Sequence, residues 1–257
     1  MKIIKELYDY REMISNLVKK DLKVRYKGSV LGFLWTFLNP LLQLVVYTIV
    51  FSTIMRVDID KYYIYLFVGL IPWIFFASSI QVGAVSIMMN KDLIKKIYFP
   101  RIILPIVTTN SAFMNMFYSM IVVLLTILVS GIGFSKYMLL LPVVMVVQYI
   151  LVLGMTFIFS ALNVFFRDLE YILNIVLMAW FYMTPIVYSI DMVPTEYRGI
   201  FLINPMSSII MFYREILYYK KAPDFSFFGN IVLYSIIMIF IGYFVFERLQ
   251  KSFAEEL

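Results

Sequence analysis

Long uncharged stretches separated by short clusters of charge organise this chain. Six stretches without Asp, Glu, Lys or Arg run over 28–55, 62–90, 102–135, 137–166, 171–190 and 225–246. Each reaches about twenty residues, the length an α-helix needs to cross roughly 30 Å of hydrocarbon at about 1.5 Å per residue. None alternates polar and apolar positions as a half-buried strand would. The pattern therefore predicts an all-α, polytopic membrane protein with six transmembrane helices, which satisfy their own backbone hydrogen bonds in lipid. Ahead of the first stretch, residues 2–20 follow a different rule. Ile3, Leu7, Tyr10, Ile14 and Leu17 recur at three- and four-residue steps, with Lys2, Lys5, Glu6, Asp9, Glu12 and Lys19 on the other side. This spacing predicts an amphipathic interfacial helix with its apolar face in the acyl boundary, followed by a basic anchor ending at Lys27.

Between the fifth and sixth stretches, residues 191–224 are not a simple loop. Within them, 199–213 is uncharged but only fifteen residues long, about 23 Å as a helix and too short to cross. The Asn204–Pro205 step interrupts it, so it reads as an outer re-entrant hairpin or as a cap lying flat on the bilayer. Pro40, Pro72, Pro142 and Pro185 lie inside the predicted spans and imply kinks. The whole of 1–257 is expected to be one transmembrane domain.

Composition agrees with the pattern: 63% of residues are hydrophobic and 15% charged, against roughly half and a quarter in soluble domains. The net charge of +6 is mostly a topology signal. With the N-terminus in the cytoplasm, the inside segments 1–27, 91–101, 167–170 and 247–257 carry fifteen Lys and Arg, and the outside segments seven. That obeys the positive-inside rule and places both termini in the cytoplasm. Nothing in the basic balance then calls for nucleic acid. The first 27 residues hold twelve charges and lack the apolar core of a cleavable signal peptide.

The chain has neither cysteine nor histidine, which removes thiol nucleophiles, imidazole acid–base chemistry and most zinc sites. No G-x-x-x-x-G-K-[ST] phosphate loop occurs. The six stretches offer only neutral polar groups such as Gln43, Gln148, Asn163 and Asn174, whereas ion-coupled carriers keep a charged relay inside the bundle. Catalysis, metal or cofactor binding, and ion coupling are all disfavoured. If the chain transports, its energy comes from a partner.

The segment Asn90–Pro105 (NKDLIKKIYFPRIILP) is where a partner could act. Lys91, Asp92, Lys95, Lys96 and Arg101 fall within eleven residues between two long apolar stretches. Asp92, Leu93, Ile94, Lys95, Lys96, Ile97 and Tyr98 form one or two turns of amphipathic helix stopped before Pro100. Such a helix suits docking into a groove on a soluble protein, with Leu93, Ile94, Ile97 and Tyr98 inserted and the basic residues, Arg101 included, at the rim. The alternative is a basic loop that only sets topology. A second candidate feature lies in the first span. At 100° per residue Phe33, Phe37, Tyr47 and Phe51 share an arc with Pro40 and Leu44, opposite Trp35. This stripe could line a substrate path, since sugar rings stack on aromatics, or could pack against a neighbouring span.

Taken in order, several motifs resemble the membrane subunit of ABC-2 type exporters, above all the branch that exports O-antigen, teichoic acid or capsule. They are Asp21–Leu38 (DLKVRYKGSVLGFLWTFL) with Asn39–Pro40, Gly69–Trp73 (GLIPW), Asn90–Pro105 with Phe99-Pro100-Arg101, Phe166-Arg167-Asp168, Trp180–Tyr188 (WFYMTPIVY), and Asn204-Pro205 followed by Tyr213-Arg214. The resemblance implies a non-enzymatic permease of the inner membrane that works as a homodimer with two separate ATP-binding-cassette subunits. Those partners would bind ATP and Mg, leaving this chain without a cofactor. It implies that 91–101 is the coupling helix, that Asn204 and Pro205 belong to an outer gate, and that span one lies beside the dimer axis. The implied substrate is a polysaccharide linked to undecaprenyl diphosphate. Other readings are an ABC-2 exporter of a small lipid or drug, a membrane component or enzyme of glycan assembly, and a channel that conducts without ATP.

Overall fold

A computed structural model of the chain describes residues 2–256, with the side chains of residues 2–4, 25, 26, 226, 254 and 255 excepted. Among the described residues the fold is helical, with no strand. Helices α1 (Lys2–Asp9) and α2 (Arg11–Tyr26) meet at Tyr10. The bonds Tyr10 N–H to Glu6 O and Ile14 N–H to Tyr10 O keep them nearly continuous. The amphipathic pattern is realised, but its apolar face has a different partner from the acyl boundary. Leu7, Tyr10, Met13, Ile14, Leu17 and Val18 pack, half-buried, on a cluster of Ile87, Phe99, Ile103, Phe157, Phe246 and Phe253 at the base of the bundle. A face that can cover rings and branched chains of its own protein is withdrawn from lipid to the same degree. The side chains of Lys2 and Ile3, part of the predicted pattern, lie outside the described residues.

The first span covers Gly32–Ile54. It comprises a 3-10 turn at Gly32–Leu34, helix α3 (Trp35–Thr48) and a π-helical stretch Ile49–Ile54. Helix α4 (Tyr62–Ala84) is apolar on every side and so becomes the centre of the bundle. The short helices α5 (Ser86–Met89) and α6 (Lys91–Lys96) follow, parted at Asn90. Helix α7 (Ile103–Val129) then returns across the bundle, and α8 (Leu141–Phe165) crosses again. Helices α4 and α8 are tied by an amide. Gln148, fully buried, donates to Pro72 O at 2.8 Å and accepts from the Tyr213 hydroxyl at 3.0 Å.

The fifth predicted span is shorter than its uncharged run implied. Where an uncharged run of twenty residues suggested a crossing over 171–190, the helix α9 (Leu169–Tyr182) has 14 residues, about 21 Å. Thr184 precedes Pro185 and is therefore pushed out of the helical region, so the chain leaves the helix there. Helices α10 (Thr195–Ile203) and α11 (Pro205–Leu217) follow, bent by 97° at Asn204. The interruption expected from Asn204–Pro205 is thus present. Helix α12 (Phe225–Leu249) crosses last, and α13 (Phe253–Glu256) closes the base. Five helices are long and apolar enough to cross a membrane, or six if the bent α10–α11 pair is one span. Helices α8 and α12 touch backbone to backbone: a Cβ placed on Gly242 would lie 2.1 Å from Gly154 O.

Candidate functional site

The predicted docking segment divides into two sets. Ile97 is 54% exposed and Tyr98 95%, and Lys91, Asp92, Lys95 and Lys96 also face outward. Leu93 and Ile94 instead pack on the chain's own basal cluster, and Phe99 is buried in it. Of the four apolar residues expected to enter a partner, two also pack on the bundle and two stay exposed. Arg101 has partners within the chain. Its Nη1 donates to Gln250 O at 2.6 Å, and its guanidinium lies 5.9 Å from the Phe253 ring, so it holds the end of α12. Ile97 and Tyr98, just past the end of α6, are left as an exposed apolar pair beside Lys91, Lys95 and Lys96.

The aromatic stripe of span one does not persist as one face. Phe33 sets its edge against Phe37 at 5.4 Å and against Tyr118 of α7 at 5.3 Å. Tyr47 stacks on Phe181 of α9 at 5.6 Å, with Phe51 at its edge 6.4 Å away. Between the two pairs, Pro40 and Leu44 are buried. The uniform 100° step fails at both ends, because a 3-10 turn winds about 120° per residue and a π turn less than an α-helix. Only Tyr47 of the four reaches the groove described next.

That groove, a cleft of about 340 Å³, runs between α3, α4 and α9 and includes Gln43, Tyr47, Trp73, Gln81, Asn174 and Phe181 in its wall. No charged side chain lines it. Gln81 Nε2 donates to Asn174 Oδ1 at 2.9 Å, which leaves the Gln81 carbonyl and the Asn174 N–H groups for a guest. Neutral amides beside aromatic faces can bind hydroxyls and C–H faces in alternation, as a sugar chain would present them. Of its α4 residues, Trp73 stands out in the sequence only within the GLIPW motif, and Ser78 and Gln81 carry no signal there. Nothing in the sequence said that α3 and α9 stand on either side of α4.

The end of the bundle opposite α6 is closed by polar contacts. Asn204 caps α11 by accepting from Met206 N–H at 3.0 Å, and Pro205 takes the first helical position, where its missing N–H is harmless. The Asn204 amide also donates to Thr184 Oγ1 at 2.8 Å and to Met183 O at 3.4 Å, so the two predicted gate residues are joined to the end of α9. Arg214 is 3% exposed. It donates to Pro185 O and Ile186 O at 2.5 Å each and to Tyr65 O at 3.3 Å, with its guanidinium 3.5 Å from the Tyr65 ring. Sequence reasoning named it only within a motif. Its position in an otherwise apolar helix was the available signal.

Residues 12–218 match the sequence model of the family described as ABC-2 type transporter. The chain is 37% identical over 261 aligned residues, covering all of both chains, to the O-antigen export system permease protein RfbA of Myxococcus xanthus. It is 36% identical to the protein of the same name from Klebsiella pneumoniae, over 98% of this chain and 96% of that one. At 20% identity, over 93% and 94% of the two chains, it also matches the polysialic acid transport protein KpsM of Escherichia coli.

Proposed function

This chain belongs to the ABC-2 type transporter family, and we propose that it is the permease subunit of an ATP-driven exporter of lipid-linked polysaccharide. In this reading the substrate is an O-antigen, teichoic acid or capsule polymer carried on undecaprenyl diphosphate, and it crosses the cytoplasmic membrane. Two copies act with two separate ATPase subunits, which bind ATP and Mg and dock on the exposed Ile97–Tyr98 pair. Both termini face the cytoplasm, and α10–α11 lie at the outer side. Full-length similarity to O-antigen permeases supports the substrate class. The single structural observation that carries the reading is the uncharged cleft of amides and rings between α3, α4 and α9. Sugar units present hydroxyls and C–H ring faces along the chain, which neutral hydrogen-bonding groups and stacking surfaces suit, and a second copy across the open side would complete a conduit.

The test is a strain lacking this gene but retaining the ATPase that serves it, complemented with the wild-type chain or with Gln81→Leu/Asn174→Leu. Wild type should restore surface polymer. The double variant should accumulate to the same level and retain its ATPase, yet export several-fold less. Full export by the double variant would remove the cleft from the path, and failure of wild type to export any polysaccharide would remove the substrate class.

A further inference from the structure

After α9 ends, residues 183–189 run as irregular chain into the interior of the bundle, and Thr184, Pro185, Ile186 and Val187 are all buried. Backbone carbonyls outside a helix, at membrane depth, must find donors within the protein. Here they find side chains. The amide of Asn204 reaches Met183 O, Arg214 reaches Pro185 O and Ile186 O, the Tyr62 hydroxyl reaches Val187 O at 2.7 Å, and the Tyr65 hydroxyl reaches Tyr188 O at 3.0 Å. Four consecutive carbonyls, 185 to 188, are thus held by donors projecting from two neighbouring helices, α4 and α11. Gly69 permits the fit: a Cβ there would stand 3.0 Å from Arg214 Nη2.

The chemistry of this cradle differs from that of a permanent joint. Elsewhere the bundle is fastened by apolar burial and by the bare-backbone crossing of α8 with α12, and Gln148 shows that a neutral amide suffices to tie two helices. Among the described residues, the end of α9 is held by a guanidinium that meets carbonyl dipoles and the face of Tyr65 and no carboxylate. The helix itself buries just Leu173, Leu177 and Phe181 of its 14 residues. Weak burial of this kind marks α9 as an element that can separate, so that residues 185–188 are kept in place by this cradle together with the core packing of Ile186 and Val187. A guanidinium released from carbonyls is taken up by water, whereas a released leucine is not.

We propose that Arg214, with Tyr62 and Tyr65, is a latch on the outer end of the path, and that residues 185–188 leave the α4–α11 cradle when the transporter turns over. The proposal rests on the exporter reading, because the cleft wall ends at Phe181 and Tyr182, where the latched segment begins. Arg214 acts here as a positioning residue for the path and touches no substrate in the closed state.

The test uses the absence of cysteine from the chain. Val187, 1% exposed, is replaced by Cys in the full complex with its ATPase in proteoliposomes, and an impermeant maleimide is applied from the Asp58 face. At rest the thiol should be protected. ATP with Mg should raise its labelling rate at least ten-fold, and Arg214→Gln should do so without ATP, with Arg214→Lys in between. A thiol that stays protected during turnover overturns the latch and leaves Arg214 as a fixed joint. Ile127→Cys, fully buried in α7, reports unfolding. If it too becomes reactive in Arg214→Gln, the turnover arm with Arg214 intact decides the matter, and unchanged labelling there is again fatal. Labelling that rises with ATP while no polysaccharide moves would keep the latch and discard the substrate reading.

Discussion

Gly242 meets Gly154 at a distance that leaves no room for a methyl group, since the nearest atoms are backbone and cannot rotate away. Gly242→Ala must therefore push α12 from α8, an overpacking cost of about 1–3 kcal/mol or more. On the same helix, a Cβ placed on Gly229 would meet nothing within 4 Å. The expected result in detergent is a lower unfolding temperature for Gly242→Ala and an unchanged one for Gly229→Ala, read by thermal-shift scanning. Gln148→Leu should also destabilise. It strips the Tyr213 hydroxyl and Pro72 O of their buried partner, a loss of about 1–3 kcal/mol. At this scale the sequence was least explicit. Gln148 was recognisable as an interhelical group, but its two partners lie 76 and 65 positions away, and a single chain carries no mark of that pairing.

For an element, the informative case is α6, because Leu93 and Ile94 within it pack on the bundle while Ile97 and Tyr98, just past its end, stay exposed. Ile97→Asp changes an exposed position, so the protein should fold and accumulate normally while its ATPase no longer copurifies. Leu93→Asp would place a carboxylate in the basal cluster and lower the yield of the permease itself. Copurification that survives Ile97→Asp would reduce the segment to a topogenic loop. The existence of this helix was legible from the charge cluster and Pro100, whereas its orientation was not. Apolarity shows that a residue avoids water, but not whether lipid, the same chain or another protein covers it. The same limit explains α1 and α2, whose pattern points the apolar face at lipid while the fold lays it on Phe99, Phe157 and Phe253. It also explains the dissolved stripe of span one, whose arc assumed one helical pitch throughout.

The whole molecule follows from where charge interrupts apolar sequence, and that level was the most legible. Five of the six predicted crossings are helices of full spanning length, the fifth is the shorter α9, and the bend at Asn204 falls where Asn-Pro placed it. Single cysteines at Asp58 and Glu196 should react with an impermeant maleimide in intact cells or spheroplasts, and one at Lys95 should not. Labelling at Lys95 would invert the molecule. The short fifth helix was hidden because an uncharged run measures only the absence of charge, and Pro185 ended the helix without ending the run. Its shortness reaches beyond the protein. Along α9 the apolar flank is about 21 Å tall, against roughly 30 Å of hydrocarbon. The bilayer beside it must dimple inward, at fractions of a kcal/mol for each ångström of mismatch. Membrane thickness then becomes a setting on the machine: short-chain phosphatidylcholine should favour turnover and long-chain lipid should slow it, with the ATPase alone indifferent to both.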